Sequence, residues 1–236
     1  MRVRPQSIYK TTTCYNKPMC ARFTLRTKLN LLLQQFSAEL QHELAEHENE
    51  VPPRYNIAPS QEVLAVRMVD GRRQLGNLQW GLVPSWAKDP KIATINARAD
   101  SVATKPMFRS AFSSRRCLIP ADGYYEWLRV GKQRQPYLYE TGRPFALAGL
   151  WENWRGLKTC TIITTEANPL AAEIHDRMPV ILHESDYGTW LDGVAEDAQE
   201  LLKPYDDPMT AHEVSTFVNN SRHEGPECVA LPNRLF

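Results

Sequence analysis

No run of apolar residues in this sequence approaches the length of a bilayer span: the most apolar stretches, FALAGLW and CTIITT, end after roughly half a dozen residues. No membrane-spanning helix is expected. Charge of one sign is equally scarce. Lys plus Arg number 28 against 27 for Asp plus Glu, so the whole-molecule field exerts no pull on a polyanion and any nucleic-acid site must be a local patch. One candidate patch lies between residues 98 and 134, where Arg98, Lys105, Arg109, Arg115, Arg116, Arg129, Lys132 and Arg134 face few acids, although on charge alone an ordinary solvated surface explains it equally well. The five cysteines, at 14, 20, 117, 160 and 228, are odd in number and scattered, with no Cys-x-x-Cys pair. That excludes the usual zinc spacings and fits a reducing compartment. The six histidines add no ligand pattern, since His42 and His47 are five apart and fall on different faces of a helix. No metal is expected.

Residues 1–18 contain Arg2, Arg4, Lys10 and Lys17 and no acid, but they lack the apolar middle segment of a secretory signal. A transit peptide, a disordered tail, a propeptide, or upstream sequence read in because the start is Met19 all remain open on composition.

A chain of 236 residues, 42% of them hydrophobic, can bury a substantial core as one large or two small domains. No repeat and no long linker divides it, so residues 19–236 are expected to form a single domain. From Thr24 to about His47, Leu25, Leu29, Leu32, Leu33, Phe36, Leu40 and Leu44 recur at three- and four-residue steps, which predicts one amphipathic helix ending before Pro52-Pro53. EVLAVRMV, DGR and RQLGNLQW read as a hairpin turning at Asp70-Gly71. A second hairpin is predicted in YYEWLRV, GKQRQ and PYLYE, and PFALAGLWENW and KTCTIITT continue the β-rich middle. NPLAAEI starts a short helix with Asn168 as cap. MPVIL, two helices in SDYGTWLDGV and EDAQELLKPY, and a last strand near AHEVSTFV complete the chain. Without a βαβ rhythm, the class is α+β around a curved antiparallel sheet.

Within TTTCYNKPMCARF, residues 11–23, a Met-Cys pair reads as a second beginning. If Cys20 opened the mature chain it would carry two nucleophiles on adjacent carbons, an α-amine with pKa about 7.7–8.0 and a thiol near 8.5. Together they suit an aldehyde. The amine condenses to a Schiff base and the thiol closes onto the same carbon as a five-membered thiazolidine, whereas an internal cysteine forms only the weaker hemithioacetal. On its own the pair more often marks a buried structural cysteine.

Five further stretches are dense in polar and aromatic groups: PRYNIAPS (53–60), WGLVPSWA (80–87), INARADS (95–101), PADGYYEW (120–127) and IHDRMPV (174–180). In this order, and over Cys20 to about residue 220, the chain resembles the SRAP family, the SOS-response-associated peptidases. The resemblance implies an α+β fold with a barrel-like, antiparallel or mixed β core flanked by helices, and a positively charged groove. It implies single-stranded DNA bearing abasic sites as the partner, captured covalently as a thiazolidine that shields the lesion. It also carries the catalytic positions over as Cys20, Asn96, Glu126 and His175. Ala21 departs from the family, where many members have glycine, and adds a methyl close to the nucleophile.

Each carried-over residue has a physical job. Glu126 can take a proton from the α-ammonium and shuttle it during imine formation. His175 titrates near neutrality and can protonate the sugar ring oxygen or assist ring closure. Asn96 offers an acceptor and a donor to hold the cysteine backbone or a sugar oxygen. Arg22, Arg98 and Arg177 lie within three residues of these groups and can grip phosphate. Trp80, Trp86 and Trp127, with Pro59 and Pro84 nearby, can stack on bases or wedge the strand, although at least one of the three rings is expected to pack the core. Asn56 can reach a phosphate or a sugar.

Three readings follow. The first is covalent abasic-site protection with possible lyase-type reversal, by a monomer in a cytoplasmic, nucleoid-associated setting, with neither cofactor nor metal. The second is a cysteine autopeptidase whose main act is its own maturation. The third is a noncovalent single-strand-binding module in which Cys20 stays masked.

Overall fold

The apolar positions expected on one long helix are divided among four elements: β1 (Phe23–Leu25), α1 (Leu29–Phe36), β2 (Glu39–Leu40) and α2 (His42–Ala45). A computed structural model describes residues 21–45 and 51–232, so the leader, Cys20 and His47 lie outside the described residues. Two forces break the expected helix. Ser37 takes a left-handed conformation, φ 48°, and its N–H closes on the carbonyls of Leu33 and Gln34, which ends α1. At the other end the sheet claims Phe23 and Leu25, which pair with Ile57 and Arg54 of β3 (Arg54–Ile57).

The first predicted hairpin is present. β4 (Glu62–Val69) and β5 (Arg72–Trp80) pair from Glu62–Gln79 to Val69–Arg72. Asp70 and Gly71 join them with φ values of 50° and 75°, the left-handed pair that a two-residue turn needs. After β6 (Asn96–Arg98) and α3 (Arg109–Ser114), β7 (Arg116–Val130) and β8 (Gln133–Trp154) form the second hairpin, turning at Gly131-Lys132. Their register slips between Ala121 and Gly123. The slip frees Asp122, whose carboxylate accepts from the N–H of Arg26 and of Thr27 and so fixes the chain leaving β1. A Cβ at Gly123 would stand 2.8 Å from the Tyr139 carbonyl oxygen, so the strands can close here only over glycine.

β9 (Leu157–Glu166) follows, then α4 (Pro169–Ala172), β10 (Arg177–Pro179), β11 (Ile181–Leu182), α5 (Tyr187–Asp192), α6 (Ala195–Glu200) and β12 (Thr210–Glu213). The last strand is shorter than predicted, and Thr216–Asn219 is a 3-10 turn. All strands belong to one mixed sheet in which β8 bonds β9, β9 bonds β5, β5 bonds β4, β4 bonds β7, and β7 returns to β8. The architecture is α+β, mostly sheet with short helices. Inside lie Leu75, Leu78, Trp80, Leu118, Leu147, Leu150 and Ile162, none more than 1% exposed. Helix α5 covers one side by inserting Trp190, whose indole N–H donates to the Cys117 carbonyl at 2.9 Å. Among the described residues no helix is long and apolar enough to cross a membrane.

Candidate functional site

The residues that immediately follow Cys20 enter the sheet beside the PADGYYEW motif. Phe23 pairs with Tyr124 and Thr24 with Gly123, and the Tyr125 N–H donates to the Arg22 carbonyl at 3.0 Å. Strand alternation then puts Glu126 on the face of Tyr124, and Trp127 on the face of Tyr125. Glu126 is only 4% exposed. Burying a carboxylate is costly unless the protein uses it or satisfies it; burial first, then the Glu126 charge, raises the pKa of Tyr139, the ring stacked on Tyr124 at 4.8 Å.

Asn96 lies on β6 and His175 in the turn that leads into β10, and both strands pair with β9. The second half of β9 is flanked by β6, with Asn96 opposite Ile162 and Arg98 opposite Thr164, and by β10, with Arg177 opposite Glu166. Helix α4 sets His175 in place: Asn168 caps it by accepting from the Ala171 N–H at 2.9 Å, and the His175 N–H donates to the Ala171 carbonyl at 3.0 Å. His175 Nδ1 accepts from the Arg177 N–H at 3.1 Å and lies 3.0 Å from Asp176 Oδ1. These contacts are alternatives. A neutral ring accepts from Arg177, and a protonated one donates to Asp176, so both states find a partner, as a proton carrier requires.

The two arginines here differ. Arg177 is buried and donates to the Thr164 carbonyl and hydroxyl; burial first, then the Arg98 charge, lowers its pKa. Arg98 is exposed and paired with Asp100, whose hydrogen bond raises its pKa.

A second cluster surrounds Trp127. The Arg22 guanidinium lies 5.6 Å from the indole centre and donates to Asn56 Oδ1 at 2.7 Å and to the Val218 carbonyl at 2.9 Å. Burial, then Arg134, lowers its pKa. Arg134 stands over the same ring at 5.3 Å, and the indole N–H donates to Asn219 Oδ1 at 2.6 Å. Asn56 is fully buried, and its amide donates to the carbonyls of Asn220 at 3.0 Å and His223 at 2.9 Å. The carboxylate of Glu224 accepts from the N–H groups of Tyr55 and Asn56. Asn56 therefore clasps the C-terminal segment instead of facing outward.

Of the other aromatic candidates, Trp80 is 0% exposed and donates to the Ile95 carbonyl at 2.8 Å, which makes it the core ring anticipated among the three. Trp86 is 62% exposed, Pro84 buried and Pro59 half-buried. Sequence reasoning missed Asn219 and Glu224, for which no local motif gives a signal, and named Arg134 only as part of the basic stretch, without its place over Trp127. Among the described residues, His183, Asp206 and Asp207 form a group that could hold a metal ion. Each nitrogen of His183 faces a different carboxylate, Nε2 at 2.9 Å from Asp206 and Nδ1 at 3.3 Å from Asp207.

A buried carboxylate on β7, a histidine in the turn before β10 and a chain that enters the sheet beside the carboxylate make up the candidate site. The chain belongs to the family described as SOS response associated peptidase (SRAP), whose model matches residues 19–221. It is similar to the abasic site processing protein YoqW of Bacillus subtilis, 43% identical over 225 residues that cover 89% of this chain and 99% of the relative. It is also similar to the abasic site processing protein HMCES of Xenopus tropicalis, 33% identical with 75% and 66% covered. A crystal structure of a Bacteroides thetaiotaomicron protein superposes with a TM-score of 0.80 at 25% identity, over 90% of this chain and 99% of that one.

Proposed function

We propose that this protein processes abasic sites in single-stranded DNA by forming a covalent thiazolidine at Cys20. Support comes from the abasic-site processing named for its relatives at 33–43% identity. The observation that carries the chemistry is the buried Glu126 carboxylate on the strand whose Tyr125 N–H binds the Arg22 carbonyl, two residues after Cys20. The ring of pairings through β8, β9, β5, β4 and β7 is read as a barrel-like core, and residues from 19 onward as one domain.

In this reading Glu126 removes a proton from the α-ammonium of Cys20, and the freed amine attacks the aldehyde carbon of the ring-opened deoxyribose. His175 donates to the ring oxygen as the sugar opens. The carbinolamine loses one water to give the imine, the thiolate adds to the imine carbon, and its electron pair returns to nitrogen, which takes up a proton. The net change is loss of a single water, and reversal by the same groups is the lyase-type step. Asn96 holds the cysteine backbone or a sugar oxygen. Trp86, Trp127, Arg98 and Arg22 are assigned to the strand, with Pro59 at the rim; Asn56, Trp80, Pro84 and Arg177 support them from inside. Exposure of the Cys20 amine, by initiation at Met19 with methionine removal or by self-cleavage, is a precondition. A reducing compartment that holds DNA is the setting, and a monomer suffices.

The test is intact mass after incubating single-stranded DNA bearing an abasic site with protein beginning at Met1, with protein expressed from Met19, and with the Cys20→Ala variant of the latter. The form with a free Cys20 should gain the mass of the DNA less one water, while Cys20→Ala should bind but gain nothing stable to heating. A heat-stable adduct on Cys20→Ala overturns the thiazolidine.

A further inference from the structure

Folding sorts the positive charge between residues 98 and 134. Arg115 pairs with Glu152 at 2.7 Å, Arg98 pairs with Asp100, and Arg116, 4% exposed, gives its guanidinium to the carbonyls of Phe112, Trp190 and Gly193. Lys105 and Arg109 are exposed just before and at the start of α3, whereas Arg129, Lys132 and Arg134 are exposed together at the tip of the β7–β8 hairpin. Among the described residues none of them forms an ion pair. Arg129 sits directly opposite Arg134 in the register, an arrangement of like charges that disfavours the sheet.

The tip is continuous with the candidate site. Trp127 and Arg129 share a face of β7, and Arg134 lies diagonally across from Trp127 with its guanidinium 5.3 Å from the indole centre. Arg22 approaches the same ring at 5.6 Å. The indole thus gathers two guanidiniums. Desolvation and the Arg134 charge already weigh against the protonated form of Arg22. From Trp127 the hairpin carries positive charge outward for about 10–17 Å, at about 3.4 Å per residue. A chain of phosphates lying along this face would relieve the repulsion at the ring and the repulsion across the strands together.

We infer that the tip of the β7–β8 hairpin is a phosphate-binding finger in which Arg129, Lys132 and Arg134 grip the DNA backbone flanking the nucleotide held beside Trp127. The inference rests on the abasic-site reading of the same site. Its occupant is a nucleic-acid backbone, so the contact is independent of base sequence and weakens with salt.

The experiment uses a single-stranded oligonucleotide with a tetrahydrofuran abasic analogue, which lacks the aldehyde and so reports binding without the covalent step. Affinity is measured against salt for the wild type, for Lys132→Gln, and for the Arg129→Gln/Lys132→Gln/Arg134→Gln triple variant. The log-log slope should become shallower by about 0.7 in the single variant and about 2 in the triple, at roughly 0.7 per lost phosphate contact. The Tm of each variant should stay close to the wild type, since the side chains are exposed and the triple variant loses the Arg129–Arg134 repulsion together with the Arg134–Trp127 contact. Wild-type protein with a free Cys20 is incubated in parallel with aldehyde-bearing DNA. An unchanged slope and affinity in the triple variant, with the wild type still crosslinking, overturns the finger alone. Failure of the wild type to crosslink overturns the reading of the site, and the finger with it.

Discussion

At the scale of single residues, the contrast between Arg98 and Arg177 governs what each can do for DNA. Arg177 is 7% exposed and bound to Thr164, so its guanidinium serves the β9–β10 junction. Arg98 and Asp100 are both more than half exposed, and such a pair contributes between about 0 and 1 kcal/mol to folding. A phosphate can displace Asp100, but it must compete with it. Asp100→Asn should therefore leave stability nearly unchanged while tightening single-strand binding several-fold at low salt. Arg98→Ala should weaken binding and make its salt dependence shallower by about 0.7. Salt titrations of both variants decide this. If Asp100→Asn binds no more tightly than wild type, Arg98 does not face the strand.

Among the elements, α4 is short but holds His175 through the Ala171 carbonyl, and Asn168 holds α4. Besides capping, the Asn168 amide donates to the Tyr205 carbonyl at 3.0 Å. Asn168→Ala should cost about 1–2 kcal/mol of stability, read by urea unfolding, and should slow adduct formation by loosening His175. Asn168→Asp keeps the capping oxygen but loses the donor to Tyr205, so it should recover only part of the loss; wild-type kinetics in the alanine variant would detach α4 from the site. This cap and both hairpins are legible in the sequence because their chemistry is local, set by Asn168-Pro169, Asp70-Gly71 and Gly131. The segment before residue 45 is not. Periodicity places Leu25 and Leu29 on one helix face, and only the distant partner Arg54 reveals that Leu25 is in a strand. The clasp of Arg22 and Asn56 on residues 218–223 is equally hidden, since its hydrogen bonds span 162–197 positions. The motif residues Asn96, Glu126 and His175 were readable as a set only through the family pattern, which does not reveal that Asn56 and Trp80 face inward.

For the whole molecule, the thiols and phenols buried in and around the sheet make the protein sensitive to alkali. Burial raises Cys117 from an ordinary 9.0 to about 12, and burial also raises Cys160. Burial first, then Glu224 and Glu227, raises Cys228 to about 11. Tyr125, Tyr139 and Tyr187 are raised above 10.0 by burial as the leading cause. Each of these groups is neutral in its protonated form and keeps that proton to higher pH when folded. Their contribution is therefore fully present below about pH 9 and is lost as pH rises toward and through 12, because the unfolded chain ionises first. Every such proton steepens the fall by up to about 1.4 kcal/mol per pH unit. Urea unfolding should show level stability from pH 7 to 8.5 and a steep decline above 9.5, less steep in Cys117→Ala by up to one proton's share. A wild-type stability that stays level to pH 11 would mean that these groups ionise without unfolding. The same burial that produces the alkaline limit suppresses the thiolates of Cys117, Cys160 and Cys228 at neutral pH. Among the described residues no cysteine is therefore suited to aldehyde capture, which the proposed chemistry assigns to Cys20.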